Sequence, residues 1–406
     1  MQLIEQALPL VFESSDRCVI HGQSTSWPCV VCQPLGGSPA GFLKSFPCSA
    51  LSRPSAGSGI AIDVARSKWA FNVRWGGVEQ RRLSTPGSIE HLQSLVGQYE
   101  GCRVHVAYES CGFGYEIAWW CQERGIAVTV IPPSTLERAP GAHVKTDRVD
   151  AAAMNLKHEK GLLKCVHIPT RTEHDQRQLS RTYGQVLKDR KRAQMRLRSL
   201  MQEHGRLGPL PNAGWARYEV WLRRQEMPAP VALCIEQLLA ERALAAQATL
   251  RLRAALRQLA RQPEYKPVVQ RLSHQAGVGW FTAMRLMLEI GEIGRFTTAD
   301  SFVHYLGLTP SEYSSGDTVH RGHLLKCGPG FVRGWLLQCA WAAVTGKSPD
   351  PEFVNSYQRL VGRAGKKRAI VAVARRLALR LRARWLEEIA KTEKAREAVA
   401  KQTEAA

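Results

Sequence analysis

The chain has 406 residues, of which 56 are Lys or Arg and 35 are Asp or Glu, so its formal net charge at pH 7 is +21. Hydrophobic residues make up 44% and charged residues 22%, an ordinary globular composition that excludes a mostly disordered chain. No apolar run approaches the ~18 residues that a membrane-spanning helix requires, so we expect no membrane partner. The sequence pI of about 9.8 favours a polyanionic partner, with nucleic acid as the first choice.

Residues 1–57 differ in composition and periodicity from the rest of the chain. They are rich in Ser, Pro, Gly and Cys and lack a sustained period, so we predict a poorly ordered N-terminal extension, with a small accessory domain as the alternative. Cys29 and Cys32 form an isolated C-x-x-C pair, and the 11 cysteines are scattered, which favours reduced thiols over zinc or disulfides. Met1–Phe12 lacks the basic start of a secretory signal. These features predict a cytoplasmic protein.

Residues 58–168 alternate predicted strands with predicted helices, which indicates an α/β domain. In chain order the predicted elements are strands Ile60–Val64 and Ala70–Trp75, the turn Thr85–Ser88, helix Ile89–Val96, strand Val104–Tyr108, helix Gly112–Arg124 and strand Ile126–Ile131. A further helix is predicted to begin near Asp147.

A helical region is predicted over residues 169–265. Residues 171–206 hold ten Lys and Arg against four Asp and Glu, and the Gly208–Pro211 segment ends this helix. A second helix is expected over about Pro230–Arg261, where Leu238, Ala245, Leu252 and Leu259 recur at seven-residue spacing. This pattern fits an antiparallel coiled coil, within one chain or between subunits, and an ordinary helical hairpin equally well.

Residues 266–390 are predicted to form a mostly helical domain, followed by a tail over 391–406. Helices are expected at Phe281–Ile290, Phe331–Val344 and Ala369–Trp385, and between the first two lie the segment Phe302–Leu306 and a polar loop at Thr309–Arg321. Residues 359–384 contain ten Lys and Arg and no acid, which suits a phosphate-backbone contact, a membrane surface or an ordinary solvated face. The charge of the whole chain favours the phosphate contact.

Four acidic residues form a candidate cation site. Asp63 interrupts an apolar strand, Glu109 ends another, and Asp147 and Asp150 lie three apart at the start of a helix. Converging carboxylates are the ligands of Mg²⁺, and two such ions can stabilise both the attacking and the leaving oxygen of a phosphodiester. Each acid also has an ordinary explanation: Asp147 as a helix cap with Asp150 complementing the dipole, Asp63 in a turn, and Glu109 as an exposed charge.

A second candidate is the serine doublet Ser314-Ser315, which precedes Gly316. A serine hydroxyl beside glycine is sterically open and can attack a phosphodiester when a base or a metal activates it. The basic neighbours that would stabilise phosphate charge are Arg321, Lys326 and Arg333. Ser-Ser-Gly is also common turn chemistry.

The motifs around these residues resemble the Asp-Glu-Asp-Asp (DEDD) transposases of bacterial insertion sequences, relatives of the Piv-type DNA invertases. The N-terminal motifs are I-A-I-D-V-A-R-S-K at 60–68, Y-E-S at 108–110 and V-K-T-D-R-V-D-A at 144–151. The C-terminal motifs are A-G-V-G-W-F-T-A at 276–283, R-F at 295–296, Y-L-G-L-T-P at 305–310, S-S-G at 314–316, K-C-G at 326–328 and A-I-V-A-V-A-R-R-L-A at 369–378. The resemblance covers about residues 59–390.

The resemblance implies an α/β plus α architecture: a RuvC-like ribonuclease H-fold domain, a helical coiled-coil linker and a mostly helical transposase domain. It implies that Asp63, Glu109, Asp147 and Asp150 bind Mg²⁺. It also implies that Ser315, or Ser314 if the register shifts by one, forms a covalent phosphoserine link to DNA. A structured bridge RNA that pairs with donor and target DNA is implied as a partner. Dimers that assemble into tetramers are implied too, with one subunit's acids beside another's serine.

We therefore predict an RNA-guided DNA recombinase that moves its own insertion sequence. One alternative is a metal-dependent nuclease or junction resolvase that uses the acids and water. Another is a basic nucleic-acid binder without activity. The side chains expected to contact nucleic-acid phosphates are Lys145, Arg148, Arg190, Lys191, Arg192, Arg321, Lys326, Arg333, Lys366, Lys367, Arg368, Arg375 and Arg376.

Overall fold

The computed structural model describes residues 58–110, 112–133, 147–209, 214–315 and 318–404. At some of these positions, among them 147–148, 314–315 and 318–321, only the backbone is described. The predicted N-terminal extension over 1–57 and the candidate Lys145 lie outside the described residues.

A five-stranded sheet organises the N-terminal part. Its strands are β1 (Ser58–Val64), β2 (Lys68–Trp75), β3 (Val78–Pro86), β4 (Val104–Glu109) and β5 (Ala127–Ile131), in the order β3-β2-β1-β4-β5. β2 runs antiparallel to both β1 and β3, whereas β1, β4 and β5 are parallel. All four predicted strands are confirmed to within two residues, and β3 was missed. The mixed sheet is compatible with a RuvC-like DEDD domain.

Helices cover both faces of this sheet. On one face α1 (Ile89–Gly97) and α2 (Glu116–Glu123) pack on alternate residues of the strands, such as Ile60 and Ile62 of β1. On the other face α3 (Asp147–Glu159) packs on the intervening residues, such as Ala61. α2 begins at Glu116 rather than at the predicted Gly112, because Gly114 has φ +63 and breaks the helical backbone.

Two long helices follow, α4 (Arg171–Glu203) and α6 (Ala229–Leu259), with the short α5 (Trp215–Leu222) between them. The end of α4 packs on the start of α6 through Leu197 and Leu239, while the start of α4 reaches Tyr265, beyond the end of α6. The pair is therefore antiparallel, as predicted. Its coiled-coil character stays a prediction: of the seven-residue track, Leu259 alone is fully buried.

The C-terminal part is mostly helical, as predicted. Its elements are α7 (Lys266–Ser273), α8 (Trp280–Ile290), α9 (Ala299–Tyr305), β6 (Pro310–Ser315), β7 (Thr318–Leu324), α10 (Gly330–Thr345) and α11 (Pro351–Glu404). One hydrophobic cluster joins the helices, with Leu288, Leu336 and Leu377 among its members. α11 is interrupted at Gly365, where φ is +77.

Two expectations were wrong. The segment Thr309–Arg321 is not a polar loop over its described residues, because β6 and β7 pair there as an antiparallel hairpin. The polar and turn-forming residues of this segment hid its alternation in the sequence. Reduced thiols throughout were also expected, yet Cys165 is disulfide-bonded, while Cys121 and Cys339 are among the described cysteines that are free.

None of the described helices is both long and apolar enough to cross a membrane.

Candidate functional site

Two of the predicted acids lie at the carboxyl ends of neighbouring parallel strands. Ile62 of β1 pairs with Tyr108 of β4, so the next residues, Asp63 and Glu109, lie side by side. Because strand side chains alternate, both acids lie on the face of Ala61, which is the face that α3 covers. Both are half-buried. β1 and β4 thus place two carboxylates together at one end of the sheet.

Asn155 docks α3 on this face. Its side chain is 1% exposed, and its Nδ2 donates to the Gly59 carbonyl at 2.9 Å and to the Asn72 carbonyl at 2.8 Å. A second tie is the ion pair between Arg74 and Glu159, at 2.9 Å. The C-terminal half of α3 therefore lies over the beginning of β1 and the end of β2. Since the strand and the helix run in opposite directions, the beginning of α3 lies towards the end of β1.

Helix and strand geometry bring the other two acids to the same level. From Asn155 back to Asp147 is eight residues of helix, about 12 Å, and from Gly59 to Asp63 is four residues of strand, about 13 Å. Asp147 precedes the fully buried Ala151 by one turn, so its position lies on the sheet-facing side of α3. The first turn of α3 therefore starts at the end of β1.

A second pair of contacts gives the same alignment over β4. The rings of His105 on β4 and His158 on α3 meet edge-on, with their centroids 4.1 Å apart. From His158 back to Asp150 is again about 12 Å of helix, and from His105 to Glu109 about 13 Å of strand. The backbone therefore brings all four predicted acid positions to one end of the sheet.

The histidine pair beneath the acids is uncharged at neutral pH. Burial lowers the pKa of His105 to about 3, with a smaller contribution from His158, and it also lowers the pKa of His158. His105 Nε2 lies 2.8 Å from Thr129 Oγ1. The contact between β4 and α3 near the beginning of β4 is thus a packed pair of neutral rings.

The donor set fits a divalent metal ion. Carboxylates on two strand ends and on one helical turn are the oxygen ligands that hard cations prefer. In the part of the chain that the structure describes, no group of three or more His, Cys, Asp and Glu side chains is placed to hold a metal, and the Asp147 side chain lies outside that part. The residues that would hold a metal are Asp63, Glu109, Asp147 and Asp150.

The predicted serine lies on the β6–β7 hairpin. Ser315 is the last residue of β6 and pairs with Thr318, the first residue of β7. Arg333 holds the base of the hairpin, because its Nη1 donates to the carbonyls of Leu306 at 3.2 Å and Cys327 at 3.3 Å. Arg333 was predicted to contact phosphate; its Nη1 is engaged by these carbonyls, and the phosphate contact stays a prediction.

The acids and the serine belong to different parts of the chain. The acids lie at the sheet and α3, whose small cluster includes Met154. The hairpin extends from the C-terminal helical cluster, to which Leu308 and Val332 on either side of it belong. The backbone of the sheet and α3 thus directs the four acid positions towards one end of the sheet, whereas Ser315 lies on a hairpin that packs with the C-terminal helical cluster.

The other predicted phosphate contacts fall into two groups. Exposed and suited to a phosphate are Lys191, Lys326, Lys366, Lys367 and Arg368, the last three directly after the break at Gly365. Three arginines already have partners within the chain: Arg192 pairs with Asp189 at 2.9 Å, Arg375 with Asp300 at 2.9 Å and Arg376 with Ser356. Arg190 is half-buried, and the side chains of Arg148 and Arg321 lie outside the described part.

Sequence reasoning missed Asn155, the residue that sets the position of α3. The signal was a lone amide in the apolar run A-A-A-M-N at residues 151–155, since a buried amide has to find partners.

The mixed sheet with carboxylates at two strand ends is compatible with a RuvC-like DEDD domain, and comparison with known families identifies the class of protein as a transposase. Residues 60–205 match the model of the DEDD transposases of the IS110 type, and residues 269–358 match the model described as transposases of the IS116/IS110/IS902 family. The two matches together cover more than half of the chain. The chain belongs to this family of insertion-sequence transposases, and DEDD transposases typically use a divalent metal.

Two relatives illustrate the similarity. The Sinorhizobium fredii protein designated transposase y4qE is 29% identical over 298 residues, which are 70% of this chain and 70% of the relative. The transposase for insertion sequence element IS1111A of Coxiella burnetii is 24% identical over 337 residues, 78% of this chain and 86% of the relative.

Proposed function

We propose that this transposase is the recombinase of its own insertion sequence and catalyses Mg²⁺-dependent, serine-mediated DNA strand exchange guided by an element-encoded bridge RNA. The observation that carries the proposal is the convergence of the four acid positions at one end of the sheet. Two sets of contacts, at Asn155 and at His158, align α3 with β1 and with β4 and support it independently.

The four acids are proposed to be the ligands of the metal ion that stabilises the DNA phosphate. Asp63 and Glu109 would supply carboxylates from the sheet, and Asp147 and Asp150 from α3. When bound, Mg²⁺ supplies Lewis-acid stabilisation of the phosphate under attack.

Ser315 is proposed as the nucleophile, with Ser314 as the alternative. Its hydroxyl oxygen attacks a DNA phosphorus and loses its proton, and the bond from phosphorus to one strand's bridging oxygen breaks as that oxygen takes up a proton. A hydroxyl at another strand end then attacks the phosphoserine, which restores the serine and joins the new strands. Because each step exchanges one phosphodiester for another, no ATP is needed. Either a 5′- or a 3′-phosphoserine fits this scheme.

The active site is proposed to be composite. Ser315 lies on a different unit from the acids, so a dimer that assembles into a tetramer would place one subunit's serine beside another's acids. The exposed Lys191, Lys326 and Lys366–Arg368 would hold RNA and DNA backbones. Such contacts weaken steeply with salt, with log K falling by about 0.9 per duplex phosphate for each unit of log salt.

The test is recombination in cells that carry the gene with its native flanks beside a plasmid-borne element. Excised-circle junctions are counted by sequencing for the wild type, Asp63→Asn and Ser315→Ala. We expect both variants to fall to background while the RNA that co-purifies with the protein is unchanged. Matched controls are Asp175→Asn and Ser94→Ala, exposed residues outside the site, which should retain wild-type junctions.

Three outcomes would contradict parts of the proposal. Undiminished junctions with Ser315→Ala would move the nucleophile to Ser314 or to water. Free cut ends without serine dependence would favour the nuclease alternative. Loss of RNA binding in both variants would contradict the separation between chemistry and RNA binding.

A further inference from the structure

The outward side of α5 carries a groove that the proposed chemistry does not use. It has a volume of about 410 Å³ and is lined by Ala216, Arg217, Val220, Trp221, Arg224 and Gln225. Val220 is 53% exposed, which is unusual for a valine on a short helix with a packed inner face. The groove lies within residues 206–268, between the two ranges that match the family models, so family membership does not account for it.

The aromatic wall of the groove is preformed. A Cβ added at Gly208 would lie 2.5 Å from the Trp221 ring, so the indole packs directly on the backbone there. The Tyr218 ring lies 5.3 Å from that of Trp221, and Gln225 Nε2 donates to the Trp221 carbonyl at 3.1 Å. Tyr218 and Leu222 bury the inner face of α5. A ligand that stacks on Trp221 would therefore meet a side chain that is already ordered, which lowers the entropic cost of binding.

The rim of the groove carries two uncompensated positive charges. Arg217 lies on α5 and Arg224 lies in the turn directly after it; both are exposed and both line the groove. Neither forms an ion pair with any of the described acids. Their helical neighbour Glu219 is already engaged by Arg223 at 2.8 Å and Arg242 at 3.2 Å. An aromatic ring between two free guanidinium groups suits a flat base whose flanking phosphates carry negative charge.

We propose that this groove binds unpaired nucleotides of an RNA, with a base stacked on Trp221 and phosphates on Arg217 and Arg224. Loops and bulges of structured RNA present unstacked bases, whereas duplex DNA keeps its bases inside the helix. The inference rests on the proposed function in one respect, namely that the chain binds a structured RNA.

The test compares the full-length wild type with the double variant Arg217→Ala/Arg224→Ala. The probe is a short single-stranded uridine oligonucleotide, and its affinity is measured over a range of salt concentrations. We expect binding about tenfold weaker, and a slope of log K against log salt reduced by about 1.4, because each single-strand phosphate contributes about 0.7. Arg223→Ala is the matched control, since Arg223 is exposed on the same helix but paired with Glu219. It should change the affinity little.

A crosslinking measurement locates the contact and identifies its source. Cells that express the gene with its native element are irradiated, and peptides from α5 are examined for nucleotide adducts by mass spectrometry. A ribonucleotide adduct on the peptide that contains Trp221 supports the proposal. Deoxynucleotide adducts there, or adducts confined to other segments, would overturn it.

The remaining outcomes separate this inference from the proposed function. If the double variant binds the oligonucleotide as the wild type does, the groove assignment is wrong, even where the wild type makes serine-dependent junctions. If light scattering shows that the double variant changes oligomeric state while its RNA affinity is unchanged, the occupant is a second copy and the proposal is wrong. A wild type without acid- or serine-dependent junctions contradicts the proposed function, whatever the groove binds.

Discussion

The docking of α3 can be tested through the contact between Gly59 and Asn155. The two N–H groups of the Asn155 amide are shared among three acceptors, namely the carbonyls of Gly59 and Asn72 and, at 3.0 Å, Asn72 Oδ1. A Cβ added at Gly59 would lie 2.5 Å from Asn155 Oδ1. Each residue therefore responds to a substitution at the other, although the two are 96 positions apart in the chain.

The expected magnitudes follow from these contacts. Asn155→Ala removes two N–H donors whose hydrogen bonds are worth roughly 0.5–1.5 kcal/mol each, so it should cost about 1–3 kcal/mol of stability. Gly59→Ala alone should cost about 1–3 kcal/mol, because its methyl group overlaps the amide oxygen. In the double variant that oxygen is absent and the methyl group has room. Gly59→Ala should then add almost nothing, and the coupling energy should equal nearly its whole single cost.

The assay is hydrogen–deuterium exchange, followed by mass spectrometry, on peptides that cover β1 and α3, which reports the free energy of local opening. Recombination should fall in Asn155→Ala by more than the loss of folded protein explains, because the first turn of α3 loses its alignment with the strand ends. Additive single costs, within about 0.5 kcal/mol, would show that Gly59 and Asn155 do not touch and would refute this placement of α3.

Three further predictions concern stability. Thr170→Ala removes the capping box at the start of α4 and should cost about 1 kcal/mol, measured by thermal unfolding. His105 has its pKa lowered from 6.5 to about 3, so the unfolded chain binds a proton that the folded chain excludes. Stability should therefore fall as the pH drops below about 6.5, by about 2 kcal/mol at pH 5, and His105→Gln should flatten that part of a urea-denaturation pH profile. Gly277→Ala should cost about 3 kcal/mol, because φ is +82 and the new methyl group would overlap the Cys339 carbonyl, whereas Gly76→Ala, at φ +55 in open space, should cost about 1 kcal/mol by the same measurement.

The parts of the fold that the sequence predicts are those with a strong local pattern. β1 is visible as an apolar run because the sheet buries it on both faces. β3 carries the residues V-E-Q-R-R-L-S-T-P, most of them exposed or half-buried, so neither a run nor an alternation marks it. The β6–β7 hairpin is hidden in the same way, because Ser and Gly in its sequence are as typical of a loop as of a strand end.

The residues of the candidate site likewise differ in whether a local sequence pattern reveals them. The four acids lie in short motifs, and their positions at the ends of elements could be predicted from the local pattern alone. The role of Asn155 depends on Gly59 and Asn72, which are distant in sequence, and a contact of this kind cannot be predicted from the residues near Asn155. Arg333 shows the same dependence on distant contacts: a basic residue near a serine suggests phosphate binding, and the sequence does not reveal that its Nη1 also donates to the carbonyls at the base of the hairpin.

α4 links the three surfaces to which we assign functions. Next to its first turn, Trp119 of α2 donates to the Pro169 carbonyl at 2.7 Å, and Arg171 lies over the Trp119 ring, which ties the acid-bearing sheet to the start of the helix.

Further along α4, Arg177 donates to the Leu288 carbonyl at 2.8 Å, and Ser180 Oγ accepts from Arg285 at 3.0 Å, which holds the helical unit of the serine hairpin. The far end of α4 packs on Tyr218 of α5 through Leu197. These contacts are specific and partly buried, so within one subunit α4 fixes the spacing between acids, hairpin and groove. If the composite site that we propose is correct, α4 is the element that would hold Ser315 apart from the acids of its own subunit, and variants that loosen these α4 contacts should reduce recombination without changing the acids or the serine.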